Sequence, residues 1–311
     1  MKNGKENRPI KDWMEIFSKI YSGMDSKRTP EQIWIAIMAH SSSIGEAIRR
    51  FNFKELLYSA AHTFCWLCSF VNKCNKIAND DIFSYKESLC GMVSLKYPLR
   101  CGHCELDPCQ CRAIKVDTQS DKSAHYTKLA GYREDILKSV ETYSISKWKE
   151  KFQDIYGDRI HIQTTESIGF HFLEEVGEGA VAVRRLSQLR SICKEGIEGI
   201  DASFFKELST VNGMIENYSK YYKTGIIDYI SKDPNMLKRR MVEAKVNLVI
   251  EIGDTFSWFC AILNKLDEIL ETSGFTLSSL EEKLKSEYFD TAGNPRCPTC
   301  KGRSCKCIFF I

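Results

Sequence analysis

Apolar residues recur at intervals of three and four positions over most of the chain, while strict alternation of apolar and polar residues is rare. This spacing is typical of amphipathic helices and predicts an all-α protein. Helices are expected at about residues 10–22, 30–51, 53–76, 85–96, 127–156, 164–196, 203–222, 235–271 and 277–287. Thr29-Pro30 and Asp233-Pro234 look like helix starts, because each joins a capping side chain to a proline in the first turn.

The helical pattern occurs twice. Three aromatic residues at helical spacing return 135 positions later: Trp13, Phe17 and Tyr21 correspond to Trp148, Phe152 and Tyr156. Further on, His62-Thr63-Phe64-x-Trp66 corresponds to Asp254-Thr255-Phe256-x-Trp258, and each half ends in four clustered cysteines. A duplicated unit explains these matches. We therefore expect one repeat at residues 1–111, a polar linker at 112–126 and a second repeat at 127–311.

Composition places the chain among ordinary globular proteins. It has 311 residues, of which 43% are hydrophobic and 27% charged. The first residues lack the apolar run of a signal peptide, and no segment approaches the roughly 20 uninterrupted apolar residues of a membrane span. We therefore expect a cytoplasmic protein without a membrane partner. The net charge of +3 is close to balance, so it favours neither the presence nor the absence of a nucleic-acid partner.

Eight of the fourteen cysteines form two clusters with identical spacing: Cys101, Cys104, Cys109 and Cys111, and Cys297, Cys300, Cys305 and Cys307. Thiols stay reduced inside cells, and four thiolates within eleven residues can surround a tetrahedral zinc ion. The spacing therefore predicts two structural Zn²⁺ sites, with an iron–sulfur cluster or a redox switch as open alternatives. The other six cysteines have no ligand-like spacing and are interpreted as small apolar residues.

Two pairs of acidic residues suggest a second kind of metal site. Glu175 and Glu178 are three positions apart, as are Glu251 and Asp254, so each pair lies on one face of its helix. If the two helices are neighbours, four carboxylates converge, and such a cluster is costly unless cations neutralise it. Hard oxygen ligands of this kind suit Mg²⁺ or Mn²⁺. A solvated or capping role for the pairs remains open.

These acidic residues carry a resemblance to a known family. Glu174-Glu175-Val176-Gly177-Glu178, followed by Glu251-Ile252-Gly253-Asp254, resembles the E-x-x-E and E-x-x-D signature of the MazG-like nucleoside-triphosphate pyrophosphohydrolases. The resemblance implies helical bundles that use Mg²⁺ to cleave an NTP or dNTP into the monophosphate and pyrophosphate. It implies metal binding by Glu175, Glu178, Glu251 and Asp254, and activation of water by Glu174 or Glu178.

The first repeat keeps only one of the four acids. Ser43, Glu46, Ser59 and His62 stand where the signature requires acidic residues. By the resemblance, the first repeat is a pseudo-enzyme domain, and the two repeats pack as a pseudo-dimer within one chain. A homodimer of whole chains is also open.

The second repeat departs from the family pattern by an insertion. Glu178 and Glu251 are separated by 72 residues, whereas 12 separate Glu46 from Ser59. The inserted segment, at about 186–245, is expected to be helical, and it either covers a pocket or extends the bundle. Four residues near the acids are candidate contacts for the nucleotide: Lys265, Trp258, Lys245 and Arg240. Structural or solvated roles remain open for all four.

A different class of function also fits part of the sequence. The chain would then be a zinc-stabilised interaction or nucleic-acid-binding scaffold, with basic residues around the second cysteine cluster: Arg296, Lys301, Arg303 and Lys306. Acidic residues flank the first cluster, and neither cluster has interleaved aromatic residues for base stacking, so a nucleic-acid partner is not expected. A ferritin-like di-metal site is disfavoured because no glutamate precedes a histidine by three positions.

Overall fold

The protein is α-helical, as the apolar spacing predicts. The structure, a computed structural model, describes residues 7–78, 81, 83, 86–102, 104–111, 133–195, 234–274 and 277–307. Within these ranges there are nine helices and two isolated β-bridges, with no longer strand. The helices are α1 (Ile10–Asp25), α2 (Pro30–Arg49), α3 (Phe53–Lys76), α4 (Leu89–Lys96), α5 (Arg133–Val140), α6 (Ile145–His161), α7 (Thr165–Glu195), α8 (Pro234–Ser273) and α9 (Leu280–Tyr288). We call residues 7–111 the first half and residues 133–307 the second half.

One expected helix is interrupted. The single helix predicted at 127–156 is wrong, because α5 ends at Val140 and α6 begins at Ile145. Ser144 is in the extended conformation, and its side chain accepts a hydrogen bond from the backbone N–H of Lys147, which caps α6. Pro9 precedes α1 at the matching place, and an antiparallel bridge joins Pro9 to Ser144.

The linker at 112–126, the helix predicted at 203–222 and the middle of the insertion lie outside the described residues. The described ends of the insertion continue the flanking helices, since α7 extends to Glu195 and α8 begins at Pro234. These parts of the insertion therefore lengthen the bundle.

The centre of the molecule consists of α2, α3, α7 and α8, where α2 packs against both α3 and α7, and α7 packs against α8. Trp34 of α2 is fully buried, and its indole N–H donates to the carbonyl of Val176 in α7 at 3.1 Å. A Cβ at Gly179 would lie 2.1 Å from the Trp34 ring, so only glycine permits this contact. Burial of a large apolar side chain contributes about 1.5–3 kcal/mol, so this interface joins the halves strongly.

Helix α8 is also long and apolar enough to cross a membrane by length and composition alone. Its qualifying segment is Arg240–Ser273, and 78% of the apolar window is buried inside the protein. Buried core helices pass the same test, and the described packing of α8 against α4, α6 and α7 accounts for its apolar character.

The last helix of each half packs on the other half. Helix α4, from the first half, lies against α8, and helix α9, from the second half, lies against α3. The cysteine clusters that follow these helices are exchanged in the same way. The N–H of Cys109 donates to the carbonyl of Ile155 in α6 at 2.8 Å, and the N–H of Cys305 donates to the carbonyl of Ile20 in α1 at 2.7 Å. Each half therefore extends an arm, made of a short helix and a cysteine cluster, across the other half.

Hydrogen bonds within the two halves follow the offsets of the internal alignment. Four bonds form two matched pairs: Asn72 Nδ2 to Met14 O at 2.8 Å and Asn264 Nδ2 to Lys149 O at 3.0 Å; Lys73 Nζ to Ser26 O at 3.3 Å and Lys265 Nζ to His161 O at 3.2 Å. The donors are 192 positions apart and the acceptors 135 positions apart in both pairs. Residues matched by sequence thus make matched contacts.

Candidate metal centre

Helices α7 and α8 bring three of the four predicted carboxylates together. Glu175, Glu251 and Asp254 each offer a carboxylate oxygen, and these oxygens lie within 4.8 Å of one another. Positions 251 and 254 share one face of α8 because they are three residues apart, and the packing of α7 turns that face towards Glu175. We call these three residues the acidic cluster.

The acidic cluster is electrostatically costly without a cation. Glu251 is buried, with 7% of its surface exposed. Burial, together with the nearby charges of Asp254, Glu178 and Glu251, raises the pKa of Glu175 to about 8, while Lys96 opposes the shift. At neutral pH Glu175 therefore tends to keep a proton, which a divalent cation would replace. Three clustered oxygens of this kind fit the donor set of a hard cation.

The other two predicted acids lie at the edge of this arrangement. Glu178 is exposed, but it is near enough to Glu175 to raise the pKa of that carboxyl. Glu174 is exposed too, and its Oε2 lies 3.3 Å from Nδ1 of His171. The ring of His171 stacks on Trp258, with centroids 4.6 Å apart and planes inclined by 20°.

Two of the basic residues predicted to contact a nucleotide bind other residues of the protein. Lys265 has a largely buried side chain, and its Nζ lies 3.1 Å from Glu268 Oε2 besides its bond to His161. Arg240 is exposed and pairs with Glu243 at 3.0 Å, and Lys245 is half-buried. Lys265 thus fastens α8 to the end of α6, as Lys73 fastens α3 to the end of α1. Phosphate contacts by these residues remain predictions.

Two residues that the sequence did not single out lie beside the acidic cluster. Lys96 and Tyr97 belong to the arm of the first half, and Nζ of Lys96 is 3.4 Å from Oδ2 of Asp254. The Tyr97 hydroxyl donates a hydrogen bond to Oδ1 of the same aspartate. The only sequence signal for this role is that Tyr97 matches Tyr288 after α4 is aligned with α9. Local spacing does not reveal that an arm crosses to the other half.

The equivalent place in the first half has a different chemistry. His62 stands where Asp254 stands in the second half, and its Nδ1 lies 3.0 Å from the hydroxyl of Tyr288. The ring of His40 stacks on His62 at 5.0 Å. Burial, together with the neighbouring His40, lowers the pKa of His62 to about 4, so this ring is neutral at physiological pH.

The one acid retained in the first half is used elsewhere. Glu46 is exposed and forms ion pairs with Arg49, at 2.7 Å, and with Arg50. Hydrogen bonding from Arg49 lowers the pKa of Glu46 to about 2. Glu46 is therefore occupied by its own arginines on the surface, and the described residues of this half contain no cluster of three metal-ligating groups that corresponds to the acidic cluster.

Both cysteine clusters can hold a zinc ion. All four sulfur atoms of each cluster lie within 4.8 Å of one another. The Sγ atoms of Cys101 and Cys111 are 3.6 Å apart, and those of Cys297 and Cys305 are 3.5 Å apart. Thiolates at about 2.3 Å from a tetrahedral zinc ion are about 3.8 Å from one another, so these separations fit zinc.

The clusters also share one backbone turn. Glu105 in the first cluster and Lys301 in the second both have a φ of 57°, which is the left-handed region, and they are 196 positions apart. In each cluster the N–H of this residue donates to the carbonyl of the first cysteine at 3.0 Å. The identical cysteine spacing thus corresponds to an identical turn.

Comparisons with protein-family models, with curated proteins and with solved structures found no match to this chain.

Proposed function

We propose that this chain is a Mg²⁺-dependent nucleoside-triphosphate pyrophosphohydrolase of the MazG-like kind, with its active site at the acidic cluster of the second half. The observation that supports this proposal is the convergence of Glu175, Glu251 and Asp254, whose oxygens lie within 4.8 Å of one another in a partly buried place. The raised pKa of Glu175 agrees with a site that is built for a cation.

The residues divide into distinct tasks in this proposal. Glu175, Glu251 and Asp254 would hold Mg²⁺ or Mn²⁺, which supplies charge neutralisation for the triphosphate oxygens when it is bound. Glu178 is exposed beside Glu175 and accepts the proton of the water that attacks a phosphoanhydride bond. Glu174 is the less suitable base because it is engaged with His171. Trp258, with His171 stacked on it, offers an aromatic surface near the acids for the nucleobase.

The first half serves as the non-catalytic partner in this proposal. Its equivalent site holds His62 and Ser59 in place of Asp254 and Glu251, and a neutral imidazole with a hydroxyl does not replace two carboxylates as a magnesium site. The exchanged arms and the interface between α2 and α7 suit a pseudo-dimer in which the first half substitutes for a second subunit.

The experiment that tests this function is the incubation of purified, zinc-loaded protein with each common NTP and dNTP, with and without added Mg²⁺. Pyrophosphate and orthophosphate are measured separately. We expect release of pyrophosphate that depends on the metal, and a loss of about 1000-fold in Glu251→Gln, since metal-assisted charge stabilisation is worth several kcal/mol. Ser59→Ala changes the residue matched to Glu251 in the first half and should leave the rate unchanged.

A scaffold function predicts a different result from the same preparation. In that case no nucleotide releases pyrophosphate, and the protein is retained on immobilised nucleic acid in a manner that depends on salt. The anchoring of each cysteine cluster by backbone hydrogen bonds to the opposite half favours a structural role for the clusters over a binding role.

A further inference from the structure

The arm of the first half contacts the acidic cluster through Asp254. Oδ1 of Asp254 accepts a hydrogen bond from the Tyr97 hydroxyl, and Oδ2 of Asp254 faces the Lys96 ammonium. The side chains of Lys96 and Asp254 are only 12% and 15% exposed, so solvent screens this pair weakly. Both oxygens of a proposed metal ligand are thus oriented by residues that lie 157 or more positions earlier in the chain.

The Tyr97 hydroxyl is held rigidly at this place. Its side chain is buried, and its ring makes an edge contact with Phe152 at 5.3 Å between centroids. Ser257 donates a hydrogen bond to the Tyr97 oxygen at 3.3 Å. Burial, reinforced by the charge of Asp254, raises the pKa of Tyr97 well above its ordinary value, so the phenol keeps its proton and remains a donor.

The backbone of α8 is adapted to the arm. A Cβ at Gly253 would lie 3.0 Å from Cβ of Lys96, which is tighter than an ordinary contact. Gly253 corresponds to Ala61 in the first half, at the offset of 192 positions. The missing side chain therefore lets the arm approach the acidic cluster closely in the second half.

Within this arm, the first cysteine cluster fixes the end of α4 and Tyr97, which follows it. The N–H of Gly102 donates to the hydroxyl of Tyr156 at 3.3 Å, and Tyr156 also contacts the Tyr97 ring at 6.1 Å between centroids. A Cβ at Gly102 would lie 2.8 Å from the carbonyl oxygen of Lys96, so the cysteine cluster packs directly against the end of α4. With the bond from Cys109 to Ile155, these contacts fasten the arm to α6.

The arm of the second half has the same construction but carries different chemistry. Tyr288 makes an edge contact with Phe17 at 4.9 Å, as Tyr97 does with Phe152. Its hydroxyl meets His62 instead of a carboxylate, and Glu287 occupies the position that matches Lys96. A structural role is common to both arms, whereas the first arm places a hydroxyl donor and an ammonium beside Asp254; in the second arm Glu287 is paired with Lys283 at 2.7 Å.

We propose that Tyr97 is a positioning residue which orients Asp254 for a divalent cation, and that Lys96 is the counter-ion of the acidic cluster when no cation is bound. The inference rests on the proposed function because it concerns the same site. It predicts effects of opposite direction for the two neighbouring residues. Loss of the Tyr97 hydroxyl weakens cation binding, while loss of the Lys96 charge removes a competitor of the cation and does not weaken binding.

The test measures the affinity of the full chain for Mn²⁺ by calorimetry, without nucleotide. We expect Tyr97→Phe, which keeps the buried ring, to weaken Mn²⁺ binding about tenfold or more, as removal of a hydrogen bond to a metal ligand does elsewhere. Tyr288→Phe is the matched control and should bind like the parent. Lys96→Met should bind Mn²⁺ as tightly as the parent or more tightly.

Three results would overturn the inference: unchanged affinity in Tyr97→Phe, an equal loss in Tyr288→Phe, or any loss of affinity in Lys96→Met. The last two would mean that the arm acts only through folding. If Mn²⁺ binding behaves as expected but no nucleotide is cleaved, only the proposed function fails. If nucleotides are cleaved and depend on Glu251, but Tyr97→Phe binds Mn²⁺ normally, only this inference fails.

Discussion

The two halves carry different chemical groups at matched positions of the same framework. In the second half Asp254 lies between the Tyr97 hydroxyl and the Lys96 ammonium. In the first half His62 contacts the Tyr288 hydroxyl, and Glu287, which matches Lys96 in sequence, is paired with Lys283. Burial then moves the pKa of Glu175 up and the pKa of His62 down, and both groups stay neutral near pH 7.

This comparison teaches that the arms differ between the halves at the same places as the sites they contact. Lys96 accompanies the carboxylates, whereas Glu287 at the matching position of the second arm is paired with Lys283 and its charge is balanced there. The framework contacts, in contrast, are the same in both halves: the asparagine and lysine bonds to α1 and α6, the stacked aromatic residues and the cysteine turn. Chemistry can therefore be altered at one site without rebuilding the bundle.

The largest expected effect comes from the cysteine clusters. Cys104→Ser and Cys300→Ser change matched cysteines, and each should lower the zinc content measured by mass spectrometry from two ions per chain to one. Each should also cost several kcal/mol of unfolding free energy, because zinc binding contributes directly to folding. Only Cys104→Ser should weaken Mn²⁺ binding, since the first cluster holds the arm that carries Tyr97. An equal weakening in both variants would contradict the difference between the arms.

The pH dependence of stability should differ in sign between the halves. Glu175 has a pKa of about 8 in the folded protein against 4.5 ordinarily, so the metal-free fold loses stability as pH rises through that interval. His62 has a pKa of about 4 against 6.5, so the fold loses stability as pH falls from 6.5 to 4. We expect up to about 2 kcal/mol from each group, with solvent screening reducing the contribution of Glu175.

Urea unfolding of the zinc-loaded protein, in a buffer without added Mg²⁺ or Mn²⁺ and without chelator, measures both slopes. Glu175→Gln should remove the loss of stability as pH rises from 4.5 to 8 and leave the loss as pH falls from 6.5 to 4. His62→Gln should remove the second loss and leave the first. Saturating Mn²⁺ should also remove the loss of stability with rising pH, because the cation replaces the proton on Glu175. Identical pH profiles for the two variants would refute the assignment of opposite slopes to the two sites.

The smallest effect concerns two glycines inside neighbouring helices, Gly177 of α7 and Gly253 of α8. Gly253→Ala introduces the residue of the first half and places its Cβ 3.0 Å from Lys96, whereas a Cβ at Gly177 meets nothing within 4 Å. Gly177→Ala should stabilise the protein by up to about 1 kcal/mol through helix propensity. Gly253→Ala should gain little or nothing, because displacement of the arm offsets that propensity, and it should weaken Mn²⁺ binding a few-fold. A stability gain at Gly253 equal to that at Gly177, with unchanged Mn²⁺ affinity, would show that the arm does not depend on this close approach.

Much of the framework could be predicted from the sequence because it depends on local spacing. Apolar periodicity gives the helices, the three-residue spacing of Glu251 and Asp254 gives a shared face, and the cysteine spacing gives the same turn twice. The break before α6 could also have been predicted from the sequence, because Ser144 matches Pro9 at the offset of 135 and α1 begins directly after Pro9. The apolar pattern at 127–156 concealed it.

The exchange of the arms could not be predicted in the same way. Helix α4 has an apolar surface that fits either half, and no local signal states that it packs on α8 instead of α3. The roles of Lys96 and Tyr97 follow from that long-range packing. Lys265 lies on the same helix face as Asp254 by its spacing, but it contacts Glu268 and the end of α6. The recurrence of this lysine as Lys73 in the first half already favoured such a structural role.

The most direct test of the central claim is a crystal structure of the full chain grown with Mn²⁺, with anomalous scattering recorded at the manganese edge. We expect a manganese peak between Glu175, Glu251 and Asp254, with oxygen distances of about 2.1–2.3 Å, and no peak near His40 and His62. Absence of manganese from the acidic cluster, with its carboxylates turned towards solvent, would contradict the claim that the second half contains a divalent-cation site.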